Sequence, residues 1–155
     1  MPSLVEIRAS GASNIDVADA IPTPADLAID LSGAVHLEGT FSAVGFDLRV
    51  ADASTIAALL GARSAQLHAS GASTSTSIGV VDSVTLELSG ASNGSLRDFE
   101  TRLASLDLNG ASSAEITVTE RITRLNLAGA SRLDYFGNAV VDSQTVTGDS
   151  RLNAR

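Results

Sequence analysis

The chain contains no cysteine and no tryptophan, and aromatic residues make up only 3% of its 155 positions. The first absence excludes disulfides, thiolate nucleophiles and cysteine-ligated zinc. The shortage of rings leaves a core of aliphatic side chains and alanine, since 44% of the chain is apolar. Such a core suits thin, regular layers. Basic charge is also scarce: ten Lys and Arg stand against eighteen Asp and Glu, for a net charge of −8. Nucleic acid and anionic membrane surfaces need a basic patch, so neither is expected as the main partner. No apolar run approaches the roughly 18–20 residues of a membrane-spanning helix, and direct membrane insertion is not expected. The opening MPSLVEIRAS lacks a basic segment followed by an apolar one and does not read as a secretory signal.

What the chain does contain is one phrase, repeated. LDLNGAS at Leu106 returns as LNLAGAS at Leu125, and looser copies run along the whole sequence. The repeat marks fall at Gly11, Gly33, Asp52, Gly71, Gly90, Gly110, Gly129 and Gly148, at intervals of 22, 19, 19, 19, 20, 19 and 19 residues. So constant a period indicates a solenoid whose coils pack on their neighbours. Four and two positions before most marks stand apolar residues with a polar one between, as in Leu86-Glu87-Leu88 and Leu106-Asp107-Leu108. That is the alternation of a strand with one buried face. Further short apolar segments follow each corner, giving coils with three rough sides. The fold expected is all-β: a right-handed parallel β-helix of about 19 residues per coil and seven to eight coils, filling residues 1–155 as one domain. At one strand spacing per coil the rod is roughly 34 Å long. Thr55–Leu60 is the one stretch with the look of a turn of helix.

The corners have residue-level expectations. Gly at seven marks and Asp at the eighth indicate a positive-φ turn closing each strand. The following Ala12, Ala34, Ala53, Ala72, Ala91, Ala111 and Ala130 suggest a crowded inward position. Then comes Ser at seven of eight repeats, Val35 being the exception. Stacked hydroxyls either form a flat row for a sugar or ice surface or bond to turn backbone, and the second reading is preferred. Two places break the period. Extra residues around 18–26, with Pro22 and Pro24, are expected to form a loop on the first coil. At Ser75 and Ser77 polar residues take apolar positions, which predicts a bulged or poorly packed coil.

Chemistry is thin. The outward row before the corners carries Arg8, Asp30 and Arg49, expected to pair across coils, and then His68, Glu87, Asp107 and Asn126. These last four are the candidate surface-binding residues. Glu87 and Asp107, one strand spacing apart, approach the separation of retaining glycosidase carboxylates. With no tryptophan and a single tyrosine there is no stacking platform, so a solvated carboxylate pair is the preferred reading. No phosphate-cradling loop, nucleophile elbow or calcium-repeat motif is present, and His36 and His68 differ in phase. No catalytic residue, cofactor or metal is expected.

The phrases LSGASNGS, LDLNGASSAEITV and LNLAGASRLDYFGNAVV, with the ending GDSRLNAR, resemble the head GIN domain family of auto-transporter adhesins, a family largely without assigned function. The resemblance implies a β-solenoid, an extracytoplasmic or cell-surface setting, and no catalytic residues. The first functional expectation is therefore a non-enzymatic, surface-associated, adhesin-like binding module whose partner is a cell-surface polysaccharide or protein. Rival readings are a self-assembling, bactofilin-like solenoid, which would make it a homo-oligomer, and, behind that, a carbohydrate-active β-helix enzyme.

Overall fold

The computed structural model describes residues 6–155; the first half of the opening segment lies outside them. Thirteen strands form a single parallel sheet wound into a solenoid of about eight turns at the 19-residue spacing, with no helix among the described residues. In chain order they are β1 Glu6–Ala9, β2 Asn14–Pro22, β3 Leu27–Leu31, β4 His36–Ser42, β5 Gly45–Val50, β6 Thr55–Ala69, β7 Thr74–Leu88, β8 Asn93–Leu108, β9 Ser113–Leu127, β10 Arg132–Phe136, β11 Val140–Val141, β12 Gln144–Val146 and β13 Arg151–Ala154. In the middle of the rod one strand runs through two sides of a coil, which is why β6 to β9 are 15 or 16 residues long. Thr55–Leu60 is strand rather than helix, because its neighbours β4 and β7 offer complete ladders on both sides.

The alternation is realised as read. Leu86, Leu88, Leu106, Leu108, Leu125 and Leu127 are all fully buried, and the polar residue between each pair faces out. The core is aliphatic, with Phe41, Phe46 and Phe99 as its buried rings. All eight marks have positive φ, Asp52 at 63° and the glycines between 69° and 90°. At the stacked glycines the crowding is as decisive as the dihedral. A Cβ on Gly110 would sit 2.6 Å from the carbonyl oxygen of Gly90, well inside contact distance. Asp52 occupies the same place and uses its side chain there, its Oδ2 accepting a hydrogen bond from the Gly33 N–H at 3.0 Å.

The alanines are therefore not the crowded inward residues. All seven, Ala12, Ala34, Ala53, Ala72, Ala91, Ala111 and Ala130, are exposed. The tight contact falls one residue earlier, at the mark, and the positive-φ turn points the next side chain outward. The serine that follows is the inward one. Ser73, Ser92, Ser112 and Ser131 are about 1% exposed, and their hydroxyls donate to the carbonyl three residues back at 2.6–2.8 Å. They close the corner from inside, so these four hydroxyls do not form a surface row for a sugar or ice.

The period breaks are absorbed as bulges. The stretch 18–26 is not a free loop. β2 continues to Pro22, with a register shift between Val17 and Ile21 that takes up two extra residues, and the third lies in the link to Leu27. Pro22 ends the strand, where its missing N–H costs no ladder bond. The 20-residue interval is a register shift between β7 and β8, where Thr76–Gly79 faces Ser95–Phe99. The same region holds Ser75 and Ser77, buried with no partner for either hydroxyl. The shift turns the large ring of Phe99 inward, next to the space that two small serines leave.

Candidate functional site

The outward row is continuous in register. Arg8 pairs with Asp30, then Arg49, His68, Glu87, Asp107, Asn126 and Thr145 follow as successive ladder partners. Because each coil repeats the same strand, residues 19 positions apart become neighbours across one strand spacing. The middle of this row forms one wall of a shallow open groove of about 510 Å3, with Asp30, Arg49, His68, Glu87 and Asp107 on it. The other wall comes from the position just before each mark, Ser70, Ser89 and Asn109. Sequence reading passed over this second row. Its signal was available, since small polar residues recur there one place ahead of the corner.

Side-chain pairing differs from the expected pattern in two ways. Arg8 and Arg49 do not bridge to Asp30. Each turns along its own strand, Arg8 to Glu6 at 2.7 Å and Arg49 to Asp47 at 3.3 Å. Residues two apart on a strand share a face, and a flexible arginine reaches that partner without crossing to the next coil. Glu87 and Asp107 also part company. Glu87 Oε2 lies 2.9 Å from His68 Nδ1. Asp107 Oδ1 accepts hydrogen bonds from the side-chain amides of Asn109 at 2.7 Å and Asn126 at 3.2 Å, and its Oδ2 lies 3.7 Å from Arg124. The two carboxylates are thus held by different neighbours, Glu87 by the His68 ring and Asp107 by two amides and Arg124. Of the four candidates, His68, Glu87 and Asp107 line the groove. Asn126 lies outside it and acts through its bond to Asp107.

This arrangement presents both donors and acceptors along a strip of mixed charge. It suits a hydrogen-bonding ligand. No group of three or more His, Asp or Glu side chains is arranged to hold a metal ion among the described residues.

The strongest charge cluster lies elsewhere. Asp134 on β10 is 4% exposed and is held by Arg132 at 2.9 Å, Asn153 at 2.6 Å and Arg155 at 3.6 Å. Burial pushes its carboxyl up, but hydrogen bonds from Asn153 and Arg132 and the charges of Arg132 and Arg155 outweigh that and hold it below its ordinary value. Asn153 and Arg155 belong to the last coil, so the cluster fastens that coil to the rod.

A family model described as "Putative auto-transporter adhesin, head GIN domain" matches residues 1–139. No curated protein and no solved structure matches the chain.

Proposed function

Because the chain belongs to the head GIN domain family of auto-transporter adhesins, we propose that residues 1–155 act as one non-enzymatic, surface-associated binding module. Its groove along His68, Glu87 and Asp107 takes an extended, hydrogen-bonding ligand at the cell surface, a polysaccharide or a protein segment. The observation that carries this reading is the groove itself: five consecutive coils place a polar side chain on one line, with a second polar row facing it. The pairing of Glu87 with His68 and of Asp107 with asparagine amides supports binding over hydrolysis. A retaining glycosidase needs one protonated and one free carboxyl flanking a bond, and these two carboxylates are engaged by different partners.

The reading is tested by applying the full chain and the combined His68→Ala, Glu87→Ala, Asp107→Ala variant to a panel of surface polysaccharides and to intact cells. All three positions face out, so the variant should keep the fold, checked by its far-ultraviolet spectrum. Binding should fall at least tenfold, about 1.4 kcal/mol. Retention of full binding by a folded variant would place the ligand on another face.

A further inference from the structure

On the strands that follow the corners, the outward positions cease to be polar for two coils. Leu59 and Ile78 are ladder partners and are 50% and 48% exposed; Val80, two residues on from Ile78, is 64% exposed. As ladder partners one strand spacing apart, Leu59 and Ile78 make one contiguous aliphatic pair, and Val80 adds a further exposed aliphatic beyond the turn at Gly79, whose φ is 144°. Scattered exposed aliphatics need no explanation, whereas a contiguous patch rimmed by polar groups marks an interaction surface.

The rim identifies the occupant. Leu59 and Ile78 line a groove of about 340 Å3 into which Asp16 and Glu38 also face, from the two preceding coils. On the opposite side, Glu100 is the ladder partner of Val80. Asp16, Glu38 and Glu100 are exposed, and none of them makes an ion pair among the described residues. The arginine of the adjoining bulge, Arg97, is directed away, with its guanidinium 4.8 Å from the ring centre of Phe136. A second copy of the chain would bring acid rim against acid rim on a molecule of net charge −8, and an anionic lipid surface meets the same repulsion. The groove of Leu59 and Ile78 is lined by the carboxylates of Asp16 and Glu38 and by no Lys or Arg, and it complements a ligand of the converse pattern.

We infer that this face docks a polypeptide segment presenting aliphatic side chains flanked by Lys or Arg. The site shares no residue with the groove of His68, Glu87 and Asp107, and it stands independently of the function proposed for that groove.

The test is a nuclear magnetic resonance titration of the full isotope-labelled chain with an end-blocked hexapeptide of alternating leucine and lysine. Lysine–serine and leucine–glutamate hexapeptides serve as controls. Saturable shifts are expected at Leu59, Ile78 and Val80 with the leucine–lysine peptide alone. Ile78→Thr keeps a β-branched residue at an exposed strand position and should weaken binding about tenfold. Glu38→Gln should weaken it less and reduce its dependence on salt. Equal binding of the lysine–serine peptide, shifts confined to the Glu87 groove, or no saturation at millimolar peptide would each overturn the proposal. So would self-association in sedimentation that Ile78→Thr abolishes, which assigns the patch to a second copy, or Leu59-dependent binding to phosphatidylglycerol vesicles, which assigns it to lipid.

Discussion

β7 and β9 are both 15-residue strands in the same phase of the solenoid, with a ladder on either side, yet their interiors are opposite in chemistry. In β9 the inward positions after the corner are Ala114, Ile116 and Val118, all buried and apolar. In β7 the equivalent first two are Ser75 and Ser77, equally buried, with neither hydroxyl bonded. An orphaned buried hydroxyl costs about 1–3 kcal/mol. Beside Ser77, a void of about 10 Å3 remains between Leu48, Leu60, Leu96 and Phe99, at the lower limit for one water. The backbone course is nonetheless the same in both coils. Inter-coil ladders and corner geometry set the path of the chain, and interior side chains set how firmly each coil is held to it.

The contrast can be broken by converting the good coil into the poor one. Ile116→Ser should lower unfolding free energy by roughly 3–5 kcal/mol, through lost apolar burial, a cavity and a new unbonded hydroxyl. Urea denaturation measures this, and a cost below about 1 kcal/mol would mean that the interior matters little to stability. The reverse repair is smaller. Ser77→Val removes an orphan hydroxyl and fills the adjoining void, and it should raise stability by about 1 kcal/mol, read as a higher melting temperature. A fall instead would show that Ser77 has a partner such as a bound water. The smallest effect concerns a third place, the last coil. Asp134 has its folded carboxyl held below the usual range, so its contribution is full above the unfolded carboxylate value of about 4 and is lost as pH falls through the folded one. Hydrogen exchange should therefore speed up at β13 on acidification, before it changes in β7. Loosening of β7 first would make the serine coil the weaker joint even in acid.

Much of the fold was legible because a solenoid converts sequence period directly into contact. Once the marks were aligned, ladder partners such as Glu87 and Asp107 followed without further information. What the period could not convey was side-chain direction at a positive-φ corner. Hence the period alone points the alanines inward and does not show the glycines' backbone contact, whereas the recurring serine is legible as a corner device. Nor does register determine where a long side chain goes once it reaches solvent. Arg8 and Arg49 take partners on their own strands over Asp30, and Asp107 accepts from Asn109, two residues away along its own chain. The bulges mark a third limit. Extra residues at 18–26 looked like a loop because two prolines stood among them, but a parallel ladder accepts a local slip and resumes pairing.

The row from Asp30 to Asp107 crosses five coils, a length of about 19 Å at the inter-strand spacing. The hydrogen bonds joining those coils run along the same direction as the row. Tension along the rod loads them in series, so the weakest joint, beside the serine coil, would part first. A ligand lying in the groove, as proposed, would span that joint and act as a splint, sharing load with the ladder beneath it. On the binding role proposed above, the act of gripping would reinforce the very stem that carries the pull.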